Sequence, residues 1–179
     1  MGSSPPVISA LALYKEERVG VMKSRIYLET TVISYLVSRL SDNKIVAGHQ
    51  DSTKALWRRL GEYEAYVSDL VLQEAGRGDP KQVKARSEVL TTLPVLEIDV
   101  DAKKLAALLI QKHVVPAEYP DDAMHIATAT ANGMDFIVTW NISHINNPYM
   151  RLRIRQVIEA AGYIAPEICS PEELIGGEV

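Results

Sequence analysis

The feature that most constrains this chain is alternation. Short apolar runs of strand length recur between amphipathic stretches of helix length, from residue 25 to the C-terminus. Arg25–Glu29, Ala65–Ser68, Pro94–Asp99, Phe136–Thr139 and Tyr163–Cys169 read as strands. Between them, helical patterns run over Val46–Leu60, from Asp69 through Glu74, from Pro80 to Thr92, over Ala102–Lys112, from Asp121-Asp122 to Asn132, and over Pro148–Ala161. Helices of this length between consecutive strands imply βαβ units and a parallel sheet. Helices then cover both faces, which gives a three-layer α/β/α architecture. Caps follow the same logic: Thr30 or Thr31 and Asp69 and Asp101 open helices, Asp121 or Asp122 caps another, and Gly133 ends it in the left-handed conformation.

The chain has 179 residues, enough for one domain with a full core. Residues 1–21 read as an N-terminal tail and residues 22–179 as a single domain, with Met22-Lys23 the more natural beginning. In the tail the charges Lys15 to Arg18 follow the mildly apolar run, the reverse of a signal peptide. No stretch reaches the ~20 apolar residues of a membrane helix. Cys169 is the one cysteine, so neither an internal disulfide nor a thiolate metal site can form. That suits a reducing, cytoplasmic setting. The net charge of −4 argues against a coat that binds nucleic acid through a basic surface.

In an open parallel sheet, ligands sit beyond the carboxyl ends of the strands, near the point where strand order reverses. Glu29 closes the first strand, and Glu74 follows the second. Asp121 and Asp122 open the helix before the fourth strand, and Asn141 lies just beyond that strand. The gaps between Glu29, Glu74, Asp122 and Asn141 are 45, 48 and 19 residues. No local motif demands them; the architecture gathers them on one sheet edge. Taken singly, each has a plain reading. Glu29 can be a solvated strand-end acid, Glu74 a surface helix residue, and Asp121 or Asp122 a helix cap. Together, clustered carboxylates repel one another unless a cation neutralises them. All-oxygen ligands select a hard ion such as Mg²⁺ or Mn²⁺. Such an ion polarises a phosphoryl oxygen and activates water, so phosphodiester hydrolysis is the natural reaction. Glu29, Glu74, Asp121 and Asp122 carry four negative charges, equal to the whole net charge, so the remainder of the chain is neutral.

Four segments then point to a family. Ile26-Tyr-Leu-Glu-Thr-Thr-Val-Ile33, Val71-Leu-Gln-Glu74, Asp121-Asp-Ala-Met-His-Ile-Ala127 and Thr139-Trp-Asn-Ile-Ser-His144 resemble, in order and spacing, the acidic segments of the PIN-domain ribonucleases. The resemblance covers about residues 24–175. It implies a five-stranded parallel sheet between helices and a Mg²⁺- or Mn²⁺-dependent endoribonuclease. It further implies that Glu29, Glu74 and Asp122 hold metal, with Asn141 completing the site and Asp121 beside it. Many members are VapC-like toxins of toxin–antitoxin pairs, so the resemblance also implies an RNA substrate, an antitoxin partner and a homodimer. Two positions depart from the family. Its first acid is usually Asp, here Glu29, and its fourth position is often Asp, here Asn141. These departures keep open a second reading, a weakly active or inactive PIN module that binds RNA or a protein.

His125 falls near the site and reads as a core or supporting histidine rather than a base. Trp140 reads as packing, with base stacking the alternative. Three basic stretches, residues 44–60, 77–88 and 151–159, carry local balances of +3, +2 and +2. They read as solvated helix faces or as phosphate contacts flanking the site. A phosphoacceptor domain is disfavoured, since it would want paired acids after the first strand. Nucleotide-binding glycine loops are absent.

Overall fold

The computed structural model describes residues 23–176, so the expected tail, residues 1–21, lies outside the described residues. Five strands are present: β1 (Arg25–Leu28), β2 (Glu64–Ser68), β3 (Val95–Leu96), β4 (Phe136–Val138) and β5 (Glu167–Cys169). The helices are α1 (Thr30–Val37), α2 (Lys44–Arg58), α3 (Asp69–Ala75), α4 (Pro80–Leu90), α5 (Val100–Gln111), α6 (Pro120–Ala131), α7 (Pro148–Ala160) and α8 (Pro171–Gly176). All strand pairs are parallel, in the order β3-β2-β1-β4-β5. The three-layer α/β/α expectation holds.

The order explains where a site can form. From β1 the chain winds outward through β2 and β3, then returns to place β4 on the other side of β1. Right-handed crossovers put α1–α4 on one face and α5–α7 on the other. The packing agrees: α1 touches α2, α3 and α4, while α5 touches α6 and α7. The strand order reverses between β1 and β4. In β1, Ile26, Tyr27 and Leu28 are fully buried, as expected for a central strand covered on both faces. The pairing runs one residue past the strand, since Glu29 N–H donates to Val138 O at 3.0 Å. The first candidate acid therefore sits on the last rung at the switch point.

Local boundaries differ from expectation for identifiable reasons. Glu29 itself caps α1, its carboxylate accepting from Thr31 N–H, so neither Thr30 nor Thr31 is the cap. Ser68 caps α3 and Asp99 caps α5, displacing the expected Asp69 and Asp101 into the first turns. Helix α6 starts at Pro120, whose fixed φ suits a first position. Tyr119 precedes it with no side-chain cap bond, so neither Asp121 nor Asp122 is spent on capping. Gly133 ends α6 at φ 64°, in the expected left-handed conformation. β3 and β5 are shorter than their apolar runs, as the two edge strands. α8 was not expected at all.

Candidate metal centre

Glu29 is 4% exposed, and a buried carboxylate needs donors. It has three. Thr31 N–H donates to Oε1 at 3.2 Å, and the hydroxyls of Thr31 and Thr139 donate to Oε2 at 2.5 and 2.7 Å. The threonines come from α1 and the end of β4, so the acid ties the two central strands together.

Glu74 projects from α3. Its Oε2 accepts from the Thr30 hydroxyl and from His125 Nε2, the latter at 3.0 Å. Burial pushes its carboxyl up, but the bond to His125, that ring's charge, the Thr30 bond and Arg77 outweigh it, and the group stays below its ordinary value. His125, from α6, is 1% exposed. Its Nδ1 lies 2.7 Å from the Tyr27 hydroxyl, which lies 2.7 Å from Ser68 Oγ. Burial lowers the His125 pKa, but Glu74, Glu29 and Asp122 overcome it and favour the charged ring.

Asp122, in the first turn of α6, faces the same space. Its Oδ1 accepts from Asn141 Nδ2 at 3.0 Å. Its Oδ2 lies 3.1 Å from His144 Nδ1 without hydrogen-bond geometry, so this buried oxygen has no hydrogen-bond partner. Burial raises the Asp122 carboxyl above its ordinary value and Glu29 adds to the rise, against the pull of His144 and His125. Asn141 is anchored by its own loop: its N–H donates to Thr139 Oγ1 at 2.9 Å, and its Oδ1 accepts from His144 N–H at 3.1 Å. That leaves its NH₂ toward Asp122.

Glu29, Glu74, Asp122 and Asn141 line one open cleft with Thr30, Thr31, Ser34, Tyr35, Ser38 and Arg77. Asp121 is exposed and does not line it. One ligand atom each from Glu29, Glu74 and His125 lie within 4.8 Å of one another. Glu29 and Glu74 gathered with a histidine, and Asp122 lining the same cleft with a buried oxygen that makes no hydrogen bond, are an arrangement that a hard divalent cation would satisfy. The donor set therefore fits Mg²⁺ or Mn²⁺.

Tyr27 and Ser68 were not legible as site-supporting residues; Tyr27 reads as core in a buried strand. The rest of the vicinity is structural. Trp140 is packed, as expected, with its Nε1 donating to Thr53 Oγ1 at 2.8 Å and its ring stacked on His49 at 4.1 Å. Of the basic stretches, Arg77 reaches the cleft. Arg151 and Arg155 pair with Glu173 and Glu167, and Arg153 bonds the His113 carbonyl.

A parallel sheet with its acids gathered where β1 meets β4 defines a class, and the sequence agrees with it. The profile of the PIN domain family matches residues 26–143, and the chain belongs to that family. No curated protein sequence matches significantly. Several solved structures are similar, three of them as follows. A toxin–antitoxin complex from Klebsiella pneumoniae is 18% identical, covering 70% of this chain and 93% of that one, with a TM-score of 0.50. VapBC2 from Rickettsia felis, bound to a DNA fragment from its promoter, is 19% identical, covering 69% and 93%, with a TM-score of 0.49. VapC20 from Mycobacterium tuberculosis, a Sarcin-Ricin loop cleaving toxin, is 17% identical, covering 78% and 96%, with a TM-score of 0.49. At 18% identity the likeness to the Klebsiella complex is one of fold.

Proposed function

We propose that this chain is a Mg²⁺- or Mn²⁺-dependent endoribonuclease and the toxin of a toxin–antitoxin pair. The observation that carries the reading is the convergence of Glu29, Glu74 and Asp122 on one cleft at the β1/β4 switch point. In this reading Glu29, Glu74 and Asp122 hold the metal, which when bound supplies Lewis-acid polarisation of the phosphate and a more acidic water. Thr31 and Thr139 hold Glu29 in place through three hydrogen bonds. Asn141 orients Asp122 through its NH₂ and can orient a water. Arg77, on the cleft wall, offers its guanidinium to a neighbouring phosphate of the RNA strand. The Klebsiella relative is seen with an antitoxin, and here a segment of such a partner would lie in the same cleft. A homodimer and a cytoplasmic location belong to the same proposal; among the described residues no helix is long and apolar enough to cross a membrane.

The test is cleavage of single-stranded RNA by the purified full chain. Fragments should form with Mg²⁺ or Mn²⁺ and not with EDTA. Expression should arrest bacterial growth, with rescue by the product of an adjacent small reading frame. Cleavage that persists in EDTA would refute metal dependence. The second reading, an inactive binding module, is favoured by one observation: Asn141 presents an amide donor, not a ligand oxygen, to Asp122. RNA binding without cleavage would select it.

A further inference from the structure

The buried polar chain behind Glu74 is fixed by its chemistry at the Glu74 end. Glu74 Oε2 already takes the Thr30 hydroxyl as a donor, and a carboxylate oxygen accepts. The 3.0 Å contact therefore requires a proton on His125 Nε2. This is so whether the ring is neutral or charged. In the neutral ring Nδ1 is then an acceptor, and Tyr27 O–H must donate to it across 2.7 Å. Burial raises the Tyr27 pKa, so the hydroxyl keeps its proton. Tyr27 then accepts from Ser68 Oγ at 2.7 Å; in the charged ring Nδ1–H donates to Tyr27 instead, and the Tyr27 O–H donates to Ser68 Oγ. Ser68 Oγ in turn accepts from Val71 N–H, as the cap of α3.

The chain closes on itself. Ser68 caps the helix that carries Glu74, so the run Ser68–Tyr27–His125–Glu74 begins and ends on α3. It crosses β1 and α6 between those ends. Tyr27, Ser68 and His125 are each at most 1% exposed, so no solvent competes for these bonds. Both donors to Glu74, the Thr30 hydroxyl and His125, use Oε2. Oε1 has no hydrogen-bond partner among the described residues.

We propose that His125, oriented by Tyr27, is a positioning residue that holds Glu74 Oε2 and thereby presents Oε1 to the cleft, rather than a metal ligand. The inference rests on the metal reading of the site and deepens it. His125 is one of the three groups whose ligand atoms lie together, so direct ligation through Nε2 is the rival. The two differ in one proton. A ligating Nε2 must lose it; a positioning Nε2 must keep it.

The full chain labelled with ¹⁵N-histidine, with His125→Gln to assign the signal among four histidines, reads this directly. Two-bond ¹⁵N–¹H correlation should show His125 Nε2 protonated in the metal-free protein and still protonated with saturating Mg²⁺. An unprotonated Nε2 in either state overturns the proposal. Mn²⁺ affinity by calorimetry is the second readout. His125→Leu should weaken binding by about 10- to 100-fold, the usual cost of losing a supporting partner. His125→Gln, whose amide can still donate, should recover most of it. If His125→Leu does not fold, Tyr27→Phe keeps the core volume, removes the partner that orients the ring, and should weaken Mn²⁺ binding. Equal affinity in wild type and the folded variants overturns the positioning role and leaves the metal reading intact. No Mn²⁺ binding by wild type removes the metal reading, and the positioning role with it, even if Nε2 is protonated.

Discussion

Two acidic sites of the molecule, one at the β5–α8 junction and one at the β1/β4 edge, are built to different ends. At the β5–α8 junction, Glu173 accepts from Ser170 N–H at 2.8 Å and from the Asn146 amide at 3.3 Å, and it pairs with Arg151 at 3.3 Å. Ser170 Oγ returns the bond, accepting from Glu173 N–H at 3.1 Å. This is a reciprocal capping box, with both oxygens of the acid in use. At the β1/β4 edge, Glu29 is bonded to threonines, Glu74 uses one oxygen, and Asp122 leaves a buried oxygen without a hydrogen bond. A cation is supplied to Glu173 by the chain itself. The cleft acids outnumber Arg77, which lines the same cleft. Glu74 and Asp122 differ from Glu173 in each keeping an oxygen without a hydrogen bond.

That contrast can be broken by substitution. The largest effect should come from Glu74→Gln, which changes one oxygen to an amide without changing volume. RNA cleavage should fall by at least about a hundredfold, more than a supporting partner costs, with the melting temperature held or raised. Cleavage at the wild-type rate would break the contrast. Thr139→Val removes a hydroxyl donor from buried Glu29 and should cost about 1–3 kcal/mol in urea unfolding, the penalty of an under-satisfied buried acceptor. It should also slow cleavage.

Glu173→Ala should cost about 0.5–2 kcal/mol, as capping losses do, and leave cleavage intact. Its pH dependence sharpens the point. Burial pushes the Glu173 carboxyl up, but the Ser170, Asn146 and Arg151 contacts win and hold it below the ordinary 4.5. A carboxyl whose folded pKa is lowered binds its proton more readily in the unfolded chain. Its stabilising contribution is complete above pH 4.5 and is lost as pH falls through the lowered value. The gap in melting temperature between wild type and Glu173→Gln should therefore narrow on acidification below that point. A gap that widens would show that Glu173 stabilises by something other than its charge. The smallest effect concerns Cys169 in β5, whose thiol is pushed up to about 12 by burial. Iodoacetamide should leave the native protein unmodified at neutral pH and label it only on unfolding. Rapid native labelling would mean that this edge opens.

The sheet and the place of the site were legible because both follow from alternation. Fully apolar Ile26-Tyr27-Leu28 marks a central strand, and a central strand's end is where a ligand goes. What the sequence hid were roles that depend on partners far along the chain. Glu29 caps its own helix, although Ser, Thr, Asp and Asn are the usual caps and two threonines follow it. Asp121 and Asp122 suit capping locally, yet Pro120 starts the helix and frees both. Of the two, Asp122 turns inward and Asp121 stays in solvent. The link from Tyr27 to His125 spans 98 residues and leaves no local pattern. Helix α8, by contrast, had a readable signal in Ser170-Pro-Glu-Glu173, the spacing of a capping box.

The central claim is that the cleft binds a divalent cation because the fold leaves oxygens of Glu74 and Asp122 without hydrogen bonds, and that Glu173 does not. Calorimetry with Mn²⁺ on wild type, Glu74→Gln and Glu173→Gln tests it most directly. The account predicts binding by wild type and Glu173→Gln with equal affinity, and none by Glu74→Gln. Equal binding by Glu74→Gln and wild type would contradict it.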